Sequence, residues 1–204
     1  MNRRARSHLL LLLVVMLAVA GTVAWQRWTL APIDTAQRQQ QEQQWLAVLP
    51  ADRYDNQPLR SPLPLVEPQL RHSRLLSGFQ ARLDGTPSAV LLRVECQGYA
   101  GPIELAVAID PQGRLLGIQV LRQQESPGLG DQLAEPTHHW LAQFSGKARS
   151  DTPDPAWALK RDHGEFDQLA GATVTSRAVI DALQDALRYF DEHRLQLLGQ
   201  APHE

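Results

Sequence analysis

The sequence predicts an α+β domain, an antiparallel sheet packed with helices, preceded by one N-terminal transmembrane helix. Three patterns carry that expectation: strand-length apolar runs joined by a turn signal in mid-chain, a helix-period apolar stripe near the end, and a charge-free apolar run at the start. The 204 residues suffice for one domain plus an appendage and are too few for two comfortable domains.

The opening run is "MNRRARSHLLLLLVVMLAVAGTVAWQRW". It begins with Arg3, Arg4 and Arg6, carries no Asp, Glu, Lys or Arg over 7–26, and closes with Trp25 and Trp28. A spanning helix needs about 20 mostly apolar residues, which this stretch supplies if its flanks share the interface. The arginines would stay cytoplasmic and the tryptophans suit the opposite interface, so everything after Thr29 is expected outside the cytoplasm. The alternative is a cleaved signal peptide, since "AVA" at 18–20 has the small-residue pattern of a cleavage site. The apolar run continues through Val23, Ala24 and Trp25, which favours a retained anchor.

A glutamine-rich segment follows, ending in Trp45, Leu46, Val48 and Leu49 before Pro50, and reads as a helical stalk that docks its apolar end on the domain. Prolines at 58, 62, 64 and 68 then argue against helix and for an extended connector. Beyond it, "SAVLLRVE", "IELAVAID" and "RLLGIQVL" read as strands, with "DPQG" at 110–113 turning the last two into a hairpin. "PTHHWLAQF" at 136–144 reads as a short helix and "AWALKRD" at 156–162 as another strand. Val179, Ala182, Leu183, Ala186, Leu187 and Phe190 recur at i, i+3, i+4, i+7, i+8 and i+11, which predicts a long C-terminal helix with one face on the sheet.

Composition excludes several classes. Twenty basic against 22 acidic residues give a net charge of −2, with no field that favours nucleic acid. Cys96 is the only cysteine, so the chain has neither an internal disulfide nor a cysteine metal cluster, and in "LLRVEC" it reads as a small buried apolar residue. His138 and His139 are adjacent, and neighbours on a helix do not face one site, so no metal is expected.

Two segments exceed structural need. "ESPGLGD" at 125–131 follows directly on a predicted strand, and its Pro127, Gly128 and Gly130 make a tight loop whose backbone can come close to a ligand. "DQLAGATVTS" at 167–176 sets Thr173, Thr175 and Ser176 beside the small Gly171 and Ala172, at the start of a helix whose first N–H groups have no internal partner and favour an anion. By residue type alone, Thr175 or Ser176 as helix cap and Thr173 as a strand-end residue is the simpler reading.

"GYAGPIELAVAIDPQGRLLGIQVLRQQESPGLGD", followed by "WALKRDHGEFDQLAGATVTSRAV", resembles the FMN-binding domain of the G subunit of the Rnf (Rsx) electron transport complex. The C subunit of sodium-translocating NADH:quinone reductase is a more distant relative. The likeness spans nearly the whole chain, with both motifs in the family's order. It implies that a flavin transferase links FMN through its phosphate to Thr173, recognising Asp167, Gly171 and Ala172. Ala170 departs from the family, which often has Ser or Thr there. In "RQQESPGLGD", Ser126 keeps a hydroxyl while Gln123 or Gln124 stands where the family often has histidine. Around such a flavin, the loop with Glu125, Ser126, Gly128 and Gly130 is expected to supply backbone donors and Leu129 apolar contact, with Thr175 at the helix start and Lys160 a nearby cation; electron relay needs no residue as acid, base or nucleophile.

The implied organisation is a cytoplasmic N-terminus and membrane helix at 1–29, a stalk and connector at 30–69, a covalent FMN-binding domain at 70–198 and a tail at 199–204. The implied role is an electron carrier within an ion-translocating ferredoxin/NAD electron transport complex of the bacterial inner membrane, one that moves ions or keeps a redox regulator reduced, single-pass, with the flavin domain on the periplasmic side. Its expected partners are the other membrane subunits and the flavin transferase. An exported interaction or ligand-binding domain without cofactor is the alternative.

Overall fold

A computed structural model of the chain describes residues 13–22, 25, 45–135 and 139–199. Residues 13–22 are helical, and among the described residues no helix is long and apolar enough to cross a membrane. The remainder of the expected anchor, the glutamine-rich start of the stalk, His138 and the end of the tail lie outside the described residues.

The described residues 45–135 and 139–199 form one compact unit. Its centre is a five-stranded sheet in the order β1-β2-β3-β4-β5, antiparallel throughout: β1 Pro62–Leu63, β2 Ser73–Leu83, β3 Thr86–Gln97, β4 Pro102–Ile109 and β5 Leu115–Arg122. The expected antiparallel arrangement with helices is therefore present. At the β4–β5 turn, Asp110 Oδ1 accepts the N–H groups of Gln112 and Arg114, each at 2.8 Å. Gly113 there takes φ +86°, a conformation in which a side chain would be strained.

One face of the sheet packs against the long helix α1, Thr173–Leu197. All six residues of the predicted stripe are buried in that core, with Val90, Leu92, Val94, Leu105 and Val107 opposite them. Each such large side chain contributes about 1.5–3 kcal/mol on burial. Cys96 lies in the same core, and burial pushes its thiol up to about 12, which fits an apolar role. The other face is covered by the chain ahead of β1: Val48 and Leu49 are buried against Ala81, Ala89, Leu91, Ala106 and Ala108, and Trp45 meets Phe79 edge-on at 5.5 Å. The alanines are small because the backbone comes close there. A Cβ on neighbouring Gly117 would sit 2.4 Å from the Val48 carbonyl oxygen.

Three local expectations need correction. β2 was not foreseen as a strand, because irregularities between Leu75 and Ser77 and between Ala81 and Arg82 break its period, and its buried Ser73 and Gln80 are polar. In the proline-rich connector, Pro58–Arg60 forms a single 3-10 turn with proline at its first position, where the missing N–H costs nothing. Residues 156–162 are not a strand. They run through 3-10 turns at Asp154–Ala156 and Lys160–Asp162 and make one bridge, Leu159 to Phe166. Gly164 lies so close to the Ala158 carbonyl that a Cβ would be 2.0 Å from its oxygen, so the segment folds back too tightly for a ladder. Its buried Trp157 and Leu159 mimic strand alternation while packing on an aromatic group, with Trp157 to Phe166 at 5.1 Å and Phe166 to Phe144 at 4.6 Å. The short helix expected around 136–144 is a 3-10 helix over His139–Phe144, with Trp140 and Phe144 buried.

Candidate functional site

The sheet ends where the first motif begins. After β5 the chain turns through residues 126–129, closed by the N–H of Leu129 donating to the Ser126 carbonyl at 3.1 Å, with Gly128 at φ +76°. A 3-10 helix, Gly130–Ala134, follows and leaves Leu129 44% exposed.

The second motif is fastened at both ends. Trp140 Nε1 donates to the Asp167 carbonyl at 2.7 Å, and the Asp167 N–H donates to Gln143 Oε1 at 2.9 Å. Leu169 plugs into the core at 1% exposure, while Gln168 and Ala170 stay exposed. Gly171, at φ +71°, then turns the chain into α1, and a Cβ on it would meet Leu129 Cδ2 at 2.6 Å.

The helix therefore starts at Thr173, with Ala172 as its N-cap and no side-chain capping bond. This corrects the expectation that Thr175 or Ser176 caps it. Both stand inside the first turn, at the third and fourth helical positions, and their hydroxyls are engaged elsewhere. Thr175 Oγ1 donates to Glu125 Oε2 at 2.5 Å, while Ser176 Oγ donates to the Ala172 carbonyl at 2.8 Å and accepts the Leu169 N–H at 2.9 Å. Thr173 is left half-buried at the first helical position, its hydroxyl donating to the exposed Gln168 side chain at 3.2 Å.

The two motifs, far apart in sequence, meet in one cleft of about 320 Å³. Its lining contains Glu125, Ser126, Leu129 and Gly130 from the first motif and Gly171, Ala172, Thr173 and Thr175 from the second. That volume falls at the small end of small-molecule sites, roughly 300–1,000 Å³. Gly128 shapes the loop without lining the cleft. Lys160 and Asp167 also stay outside it: their charged groups pair at 2.7 Å on the surface, and both line a neighbouring groove. A pair this exposed contributes little to stability.

Two lining residues escaped the sequence reading, Tyr99 and Val174. With Leu129 they form an apolar rim, at 71%, 49% and 44% exposure respectively. The signal for Tyr99 was its place between Gly98 and Gly101, a turn too short to bury an aromatic ring.

The cleft offers chemistry of two kinds. At one end, the first turn of a 25-residue helix presents backbone N–H groups without a side-chain cap, a setting that favours an anion. Beside it, the missing side chain of Gly171 and the short one of Ala172 leave room at the Thr173 hydroxyl, and the apolar rim suits a flat conjugated ring. The residues thus fit a phosphorylated aromatic ligand such as FMN.

The family model and the sequence relatives give the same direction. The family model described as "FMN-binding domain" matches residues 98–188. The G subunit of the ion-translocating oxidoreductase complex of Pseudomonas aeruginosa strain UCBPP-PA14 is 44% identical over 201 residues, covering 98% of this chain and 93% of that protein. The protein of the same name from Salmonella typhi is 36% identical over 205 residues, covering 100% and 97%. Among solved structures, the crystal structure of Shewanella oneidensis NqrC covers 59% of this chain and 60% of its own, at 28% identity and a TM-score of 0.47.

Proposed function

The chain belongs to the family of G subunits of ion-translocating oxidoreductase complexes, and on that premise we propose that it is a membrane-anchored electron carrier holding FMN through a phosphoester to Thr173. The observation that carries the proposal is the meeting of the two motifs in one cleft, with the Thr173 hydroxyl on its wall at the start of α1.

FMN, when bound, supplies reversible one- and two-electron chemistry. The chain's residues hold and shelter it. Gly171, Ala172, Thr173 and the first N–H groups of α1 would receive the phosphate, while Leu129, Val174 and Tyr99 would exclude water from the ring. Electron relay needs no acid, base or nucleophile from the protein. Asp167, Gln168 and Ala170 are exposed, as a segment read by a flavin transferase must be. A covalent link keeps the local flavin concentration high outside the cytoplasm, where a dissociated cofactor is lost.

The proposed organisation is an anchor over 1–29, a stalk and connector over 30–69 whose part from Trp45 on packs into the same unit as the flavin domain over 70–198, placed on the periplasmic side beside the other subunits of an ion-translocating complex of the bacterial inner membrane. The test is flavin fluorescence of the denatured full-length protein in a gel, after production with and without a flavin transferase. Fluorescence that depends on the transferase and on Thr173 supports the reading; a dark band from transferase-containing cells contradicts it.

A further inference from the structure

Glu125 is 7% exposed, and its two carboxylate oxygens hold two separate walls of the cleft. Oε1 accepts the N–H of Ala100 at 3.1 Å, and Oε2 accepts the hydroxyl of Thr175 at 2.5 Å, 50 residues away. The first contact ties down the turn that carries Tyr99, itself closed by the Gly98 N–H donating to the Gly101 carbonyl at 2.9 Å. The second ties down the start of α1, which carries Thr173. Glycine stands on both sides of the carboxylate: a Cβ on Gly98 would lie 2.2 Å from Oε1, and one on Gly130 would lie 2.5 Å from Oε2. Gly101 likewise packs on Gln124, with a Cβ position 3.0 Å from its Oε1. The chain has thus cleared space around one acidic side chain from two directions, which a solvated glutamate in a plain turn does not require.

We propose that Glu125 is a positioning residue, a buried clip that fixes Tyr99 against the start of α1 so that its ring forms one wall for the ligand attached at Thr173. Tyr99 does not reach this place through core packing, since its side chain is the most exposed large apolar group in the compact unit, among the described residues. Its turn joins the paired ends of β3 and β4 at Gln97 and Pro102 and is closed by the Gly98–Gly101 bond; what fastens that turn toward α1 is the hydrogen bond from Ala100 and the close approach of Gly98 to Glu125 and of Gly101 to Gln124. Tyr99's role toward the flavin ring rests on the flavin reading; the clip is a property of the chain without any ligand.

Amide exchange of the full-length chain carrying Thr173→Ala, which keeps flavin off, tests the clip. Glu125→Ala should speed exchange at Ala100 about tenfold or more while leaving the central-strand amides of Leu92 and Ala106 unmoved. Glu125→Gln should restore protection, because its carbonyl still accepts from Ala100 and its N–H can donate to Thr175 Oγ1. In the flavinylated chain, folded-state flavin fluorescence should rise in Tyr99→Ala, rise equally in Glu125→Ala and rise no further in the double variant, since both remove one platform. Unchanged Ala100 exchange in Glu125→Ala overturns the proposal, and so do additive fluorescence effects. A wild-type chain that takes up no flavin would sink the flavin reading alone, and the exchange result would still decide the clip.

Discussion

Ser176 Oγ accepts the backbone N–H of Leu169 at 2.9 Å and donates to the Ala172 carbonyl at 2.8 Å, so one buried hydroxyl stitches the loop before α1 to the helix's first turn. The three hydroxyls of this stretch then have three separate tasks. Ser176 satisfies the loop, Thr175 anchors Glu125, and Thr173, bonded to the exposed Gln168, is the proposed attachment hydroxyl.

Ser176→Ala should consequently leave the buried Leu169 N–H without a partner, at a cost of about 1–3 kcal/mol. Urea denaturation would read this as a lower midpoint at unchanged slope. The folded fraction should still carry flavin, because Thr173 is untouched. A midpoint equal to wild type would show that the bond adds nothing.

Gly130→Val should alter the cleft without removing the covalent link. Its Cβ would lie 2.5 Å from Glu125 Oε2 and 2.8 Å from Glu125 Cβ, so the glutamate must move. The visible flavin spectrum should shift while the amount of flavin per denatured chain stays near normal. An unshifted spectrum would mean that the loop turns the chain and nothing more.

How much of this was legible in the sequence depends on whether a signal was local. The β4–β5 hairpin was, because Asp110, Pro111 and Gly113 specify its turn within four residues. The α1 stripe was legible for the same reason, since period and burial agree along one element. β2 was hidden because its polar residues serve distant partners: Ser73 donates to Asp185 Oδ2 at 3.1 Å and Gln80 to the Leu197 carbonyl at 2.8 Å. A local signal for it did exist, the Asp84-Gly85 pair at φ +51° and +74°, a two-residue hairpin turn. In the site, glycines and hydroxyls marked both motifs. That Glu125 would reach Ala100 and Thr175 could not be read, because those contacts exist only after the sheet and α1 have packed.

Asp181 gives a pH-dependent prediction. Burial raises its carboxyl above the usual range, Asp185 adds to this, and His72 and Arg177 oppose it. A carboxyl whose folded value is raised supports folding when protonated, and that support is lost as pH rises through the folded value. Asp181→Asn should therefore raise the melting temperature at pH 7, with the gain shrinking as pH falls toward about 4, the ordinary carboxylate range. A gain that is equal at both pH values would contradict the burial account.

The anchor proposal predicts membrane attachment. Full-length protein should sediment with membranes, resist extraction by high salt and dissolve in detergent, while a chain starting at Gln44 should be released. A reporter active only outside the cytoplasm, fused after Glu204, should be active. Salt-extractable full-length protein would contradict a spanning helix.

The most direct test of the central claim is mass spectrometry of the peptide containing residues 167–177, from protein made alongside a flavin transferase. The mass of one phosphoester-linked FMN should map to Thr173, vanish in Thr173→Ala, and persist in Thr175→Ala and Ser176→Ala. Modification mapped to Thr175 or Ser176, or full flavinylation of the Thr173→Ala protein, would contradict the assignment.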